Sequence, residues 1–150
     1  MPTDPRAAVL DRLRQLDAAA GFQTVDVYRG ELRAAARGAL TLTARLPAAY
    51  VLASRARLGT SADALARLDV RVLVLVEDRA LSTEAAEADA YALARALALE
   101  VVEAPVWSDA ETAYAVQTDD EGTAADVRLL LSVDGLAAYA VELEVVQSAG

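Results

Sequence analysis

Two acidic pairs are the residues of this chain whose type and spacing suit chemistry. Glu142 and Glu144 stand two apart in an alternating polar and apolar stretch, which puts both carboxylates on one face of a strand, and Glu77-Asp78 closes an apolar run. Paired carboxylates can divide the work of general acid and general base. The chain has no His and no Cys to assist them. That excludes Ser/His/Asp triads, His-ligated zinc, thiolate nucleophiles and disulfides. With no base or metal cluster beside them, the plainer reading of Glu142 and Glu144 is a solvated sheet edge, and the sequence assigns no catalytic residue.

Asp119-Asp120-Glu121-Gly122 has the look of a calcium loop. With Gly122 in the sixth position, however, Gln117 falls at the first and Arg128 at the twelfth. Both anchoring positions then lack a carboxylate, and a solvated turn is expected instead. No glycine-rich phosphate loop occurs, and with no Lys in the chain the lysine-bearing version is impossible. No metal and no cofactor is expected.

What remains is charge. Residues 29–79 hold nine Arg against five acids, while residues 80–150 hold two Arg against fourteen acids, within a chain of formal charge −9. Opposite fields on different faces favour head-to-tail contact between copies, or docking onto partners of mixed charge; acidic loops that merely keep an alanine-rich domain soluble are the competing reading. Arg29, Arg33 and Arg37 recur every four residues and form one basic stripe if that segment is helical. Arg55 and Arg57 share a face if theirs is a strand. These five arginines are the candidate partner-binding residues, with Asp119, Asp120 and Glu121 as their candidate acidic partners on a neighbouring subunit. Trp107, the single tryptophan, caps the core or anchors an interface.

The elements that must position these residues follow from caps and periodicity. Asp4 with Pro5 starts a helix whose Val9, Leu13 and Leu16 share a face, and Gly21 is expected to supply its left-handed stop. A short strand spans 22–28, Glu31 to Arg37 is helix-prone, and extended pieces cover 39–45 and 49–57, with Pro47 at a strand start or edge. In Leu68 to Val76 the even-numbered residues are all apolar, and the odd-numbered ones change from Asp69 and Arg71 to Leu73 and Leu75. That pattern describes a central strand covered by helices, half-exposed at its start and buried on both faces at its end. Ser82 caps a second helix with a stripe of Ala86, Ala90, Leu93, Ala94 and Leu97. A strand is possible around 112–117, and Asp134-Gly135 joins a hairpin. One arm places Val127, Leu129, Leu131 and Val133 on a face; the other does so with Tyr139, Val141, Leu143 and Val145.

Strands that follow one another directly favour antiparallel neighbours. The expected fold is α+β: a single domain over 1–150 with a mostly antiparallel sheet, two main helices on one face and a C-terminal β-hairpin. No charge-free stretch approaches the roughly 20 residues of a membrane span, and no signal-peptide pattern opens the chain, so a soluble intracellular protein is expected. The negative charge argues against general nucleic-acid binding.

Tyr28-Arg29-Gly30-Glu31-Leu32, followed by Pro47-Ala48-Ala49-Tyr50-Val51, resembles the Mu-type phage tail terminator family. The strand ending at Val76 with its alanine-rich helix, Trp107 beyond it, and the closing hairpin from Asp134 to Val141 fit the same resemblance. It implies a small α+β structural protein of the virion tail, assembled in the host cytoplasm, that forms a homo-oligomeric ring, expected to be a hexamer. Such a ring sits at the head-proximal end of the tail tube, stops its growth and joins it to the neck. The implied partners are further copies of the chain, the tail tube protein, the sheath protein of a contractile tail and a neck or connector protein, with no membrane and no specific nucleic acid. The alternatives are a neck or other tail-completion protein, or a small ligand-binding regulatory domain.

Overall fold

The computed structural model describes residues 4–30, 46–78, 82–109 and 111–149. The helix-prone segment from Glu31 to Arg37 and the extended piece at 39–45 lie outside them. Helix α1 runs Pro5–Gln15; the Asp4 carboxylate accepts the Arg6 N–H at 2.9 Å, as its place before a proline predicts. Helix α2 runs Thr83–Glu103, with Ser82 Oγ accepting from the Ala85 N–H at 3.2 Å. Among the described residues, seven strands form one sheet: β1 Thr24–Val27, β2 Ala48–Ser61, β3 Ala64–Glu77, β4 Val106–Ser108, β5 Thr112–Val116, β6 Asp126–Val133 and β7 Leu136–Ala149.

The sheet order is β1-β2-β3-β7-β5-β4, with β6 also on β7. Strand β7 is long enough to carry two partners on one side: β6 pairs with residues 136–142 and β5 with residues 145–149. All pairs are antiparallel except β1 with β2. The fold is therefore α+β with a mostly antiparallel sheet and a C-terminal hairpin, as the succession of strands implies.

Both helices cover one face. Val9 and Leu13 of α1, and Ala94, Leu97 and Val101 of α2, pack with Val70, Val72 and Val74 of β3 and with Val141 and Val145 of β7. Alanines at Ala86, Ala90 and Ala94 are fully buried, which lets α2 lie close to the sheet. Strand β3 is central, as its pattern demands. Its second face, with Leu73 and Leu75, meets Tyr50, Leu136, Ala138 and Ala140, and Tyr28, Leu46 and Leu130 pack against that cluster. Among the described residues, burial on both sides is thus achieved with helices on one side only.

Several local expectations are corrected. Gly21 is not a left-handed stop: α1 ends at Gln15, Leu16 adopts an extended conformation, and a 3-10 turn covers Asp17–Gly21. Gly21 is instead a point of close approach, since a Cβ there would lie 2.8 Å from Leu93 Cδ2 of α2. Strands β2 and β3 run past the expected limits and join through Ala62-Asp63, forming an arm beyond the covered part of the sheet. The apolar residues of β6 do not share one face. Leu130 is an extra residue between the pairs Leu129↔Tyr139 and Leu131↔Ala138. Alternation assumes an unbroken ladder, and a single bulge inverts everything after it. The hairpin turn itself is as read, with Asp134 at φ 49 and Gly135 at φ 79, both in the left-handed region that a two-residue hairpin loop requires.

Candidate functional site

The sheet face away from the helices changes character along its length. Near the Asp134-Gly135 turn it is apolar; toward the arm, the same face of β3 and β7 carries Arg67, Asp69 and Arg71 beside Glu142 and Glu144. The register explains the clustering. Arg71 stands opposite Glu142 and Asp69 opposite Glu144 on β7, while Arg57 of β2 stands opposite Arg67.

Glu144 Oε1 lies 3.6 Å from Arg57 Nη2 and 3.4 Å from Arg67 Nη1. Glu142 Oε1 lies 3.5 Å from Arg71 Nη2, and Arg128 Nη2 of β6 donates to the same oxygen at 2.5 Å. Each carboxylate therefore answers two guanidinium groups, and four strands are tied across one face. Part of the charge separation along the sequence is closed within the chain, because arginines of the basic third meet acids of the acidic half. Glu142 and Glu144 are also not at a sheet edge. Strand β7 is interior, and their partial exposure comes from the uncovered face rather than from a border.

A groove of about 580 Å³ runs along this face, lined among others by Ser54, Arg67, Arg71, Asp119, Glu142 and Glu144. The Asp119 loop forms one wall, anchored where the Gln117 N–H donates to Glu144 O at 2.8 Å. Asp119 Oδ1 accepts the N–H groups of Glu121 at 2.9 Å and Thr123 at 2.8 Å, and Gly122 has φ 84. The loop is a closed turn whose first carboxylate is spent on its own backbone, with Asp120 and Glu121 exposed at its tip. Among the described residues, no group of three acidic side chains is placed to hold a metal ion.

The candidate arginines are distributed differently from one another. Arg29 follows β1 in a bend rather than on a helix, and its Nη1 meets Asp26 Oδ2 at 3.0 Å. The backbone N–H of Val27 is the main cause that holds the Asp26 carboxyl below the usual aspartate range; burial opposes it, and Arg29 and then Arg14 add to the lowering. Arg33 and Arg37 lie outside the described residues. Arg55 and Arg57 share the charged face of the arm, as expected of residues two apart. Arg57 reaches Glu144, whereas Arg55 makes no ion pair among the described residues. Asp119 lines the groove with Arg67 and Arg71, so the structure brings one candidate acid near the basic strand within one chain.

Sequence reasoning missed Arg67, Arg71 and Arg128 as members of this cluster. The signal was there: Arg67, Asp69 and Arg71 alternate on β3 as Glu142 and Glu144 do on β7. It becomes legible only when those strands are paired. Trp107 stacks on Tyr114 with ring centres 5.5 Å apart, and the Arg12 guanidinium lies 5.8 Å over its ring. It caps the core beside α1, half-buried on the short edge strand β4.

Among the described residues, no helix is long and apolar enough to cross a membrane. Comparison with protein-family models and with curated proteins finds no significant match.

Proposed function

We propose that this chain is a structural assembly protein of a phage tail or a related particle, acting as a tail terminator. It would form a ring, expected to be a hexamer, at the head-proximal end of the tail tube, halt tube growth and present a surface to the neck and, in a contractile tail, to the sheath. The observation that carries this reading is the pair of unlike sheet edges. The arm of β2 and β3 at one border is basic, and the corner where α2 passes into β4 at the other is acidic. Unlike edges favour head-to-tail association, which closes into a ring when the rotation per copy permits. The chemistry of the charged face fits a scaffold better than a catalyst. Its carboxylates face guanidinium groups, and the chain supplies no histidine or cysteine to move a proton or attack a substrate.

The test is electron microscopy of purified tail tubes with and without the protein. Rings confined to one tube end support a terminator. Absence of association across a range of salt concentrations refutes it. A ligand-binding regulatory domain is the second reading, favoured by the groove of about 580 Å³ with its mixed charges. Thermal stabilisation by small zwitterionic or anionic ligands, without tube binding, would select it.

A further inference from the structure

We propose that the basic patch on the arm, formed by Arg55, Arg57 and Arg67, is a docking surface for the acidic loop tip Asp120-Glu121 of a second copy of this chain. This deepens the assembly reading and rests on it. The contact is made by side chains standing on the sheet face away from the helices, and it uses no backbone group of a strand edge.

Patch and tip share a face. Arg55 stands opposite Asp69, Arg57 opposite Arg67, and Asp69 opposite Glu144, so all five side chains rise from the charged face. The loop belongs to that face as well, because Thr118, Asp119 and Thr123 line the groove together with Arg67 and Glu144. They also share a level. On β7, the pairing with β6 reaches Glu142 and the pairing with β5 begins at Val145. The loop between β5 and β6 leaves the sheet in that gap, where the Gln117 N–H donates to Glu144 O at 2.8 Å. Arg55, Asp69, Glu144 and the loop therefore form one row across the sheet, with a guanidinium at one end and carboxylates at the other. Three strand spacings separate the two ends, roughly 14 Å.

Charge is unspent at both ends. Arg55, Asp120 and Glu121 are exposed and make no ion pair among the described residues. Arg57 and Arg67 share the single carboxylate of Glu144, and each side chain keeps 46% of its surface exposed. Like charges directly opposite each other are destabilising, so a further carboxylate beside Arg57 and Arg67 relieves a repulsion already in the fold. The tip is held ready. The Asp119 N–H donates to Thr123 O at 2.9 Å and the Gly122 N–H to Asp119 O at 3.0 Å, so a closed turn presents Asp120 and Glu121 and little ordering is lost on contact.

Charge also selects the occupant. Two patches repel, as do two tips, and only the unlike pairing joins opposite charges. A long polyanion such as nucleic acid would run on against Asp69, Asp126, Glu142 and Glu144 of the groove, whereas a two-residue acidic tip reaches the arginines without crossing it. Each copy carries one patch and one tip and so meets two neighbours, the arrangement that propagates head to tail.

The test is a charge swap in the full chain, read by sedimentation equilibrium at low salt. Arg55→Glu with Arg57→Glu reverses the patch; the second change sets a carboxylate opposite Arg67, which also keeps Glu144, so the strands remain joined by opposite charges. Asp120→Arg with Glu121→Arg reverses the tip and leaves Asp119 to close the turn. Urea unfolding verifies that each variant is folded, and Arg55→Glu alone, which breaks no ion pair among the described residues, reports the same direction. Either reversal is expected to weaken self-association about tenfold or more, and all four substitutions in one chain to restore it to within about threefold of wild type. The differences should vanish at about 1 M salt. A reversal without effect, or a swapped chain that does not recover, would overturn the proposal. A wild-type chain that stays monomeric would overturn it too, and the growth of tail tubes then judges the assembly reading separately: arrested growth leaves that reading standing, and continued growth overturns both.

Discussion

Glu144 Oε1 lies 3.4 Å from Arg67 Nη1, an ion pair between residues 77 positions apart in the chain. The same oxygen reaches Arg57, so one carboxylate on the last strand separates two arginines that stand directly opposite each other on β2 and β3. Glu144→Gln removes that separation. Unfolding in urea is expected to show a loss of about 1 kcal/mol at low salt, since partly exposed pairs are worth ~0.2–1 kcal/mol and the exposed Arg–Arg repulsion adds to it. The loss should shrink as salt rises, because the Debye length falls to about 3 Å at 1 M. A salt-independent loss would mean that Glu144 acts through packing.

Thr112, Tyr114 and Gln147 are all buried, and their polar atoms converge. Thr112 Oγ1 and Tyr114 OH are 2.8 Å apart, and Gln147 Nε2 donates to Tyr114 OH at 3.3 Å. Asp109 receives the Tyr114 hydroxyl at 3.3 Å. Tyr114→Phe keeps the ring on Trp107 but leaves these groups short of a partner. The expected cost is about 1–3 kcal/mol by chemical denaturation, the range for a buried polar group left unsatisfied. A neutral substitution would show that the hydroxyl is dispensable.

Gly59 sits on the arm where a Cβ would lie 2.3 Å from Ala64 O, a backbone atom that cannot swing away. Gly59→Ala must therefore displace the end of the arm. Destabilisation of about 1–3 kcal/mol is expected, with amide exchange faster in the arm than in β7. Unchanged exchange at Ser61 and Ala64 would contradict this.

Asp26 gives the chain a pH dependence of known sign. Its folded-state carboxyl is held below the usual aspartate range, chiefly by the Val27 N–H and then by Arg29 and Arg14. A depressed value means that its stabilisation is complete above the unfolded-state value, about pH 4, and is lost as the pH falls through the folded-state value. Asp26→Asn should therefore lower stability at pH 7 and lose its effect at pH 2. An equal deficit at both values would assign the effect to shape rather than charge.

Much of the fold was legible because it rests on local chemistry. Asp4 before Pro5, Ser82 before an alanine stripe and Asp134-Gly135 between alternating arms each act within a few residues, and each stands where the sequence puts it. The failures share a cause. The extra residue at Leu130 inverts a face that alternation treats as continuous. Gly21 answers to Leu93 in another element rather than to its own helix. The charged cluster was harder still, because Arg67 and Arg71 acquire meaning only once β3 lies beside β7. For the same reason Glu142 and Glu144 read as an edge pair when they are interior.

The growth of tail tubes tests the assembly proposal most directly. Tube protein is polymerised from baseplate seeds, this chain is added part-way through, and tube lengths are measured by electron microscopy. A terminator predicts that elongation stops on addition, with lengths fixed at the value reached and a ring at the distal end of each tube. Continued growth to the same lengths as without the protein, at concentrations that exceed the tube ends, would contradict it.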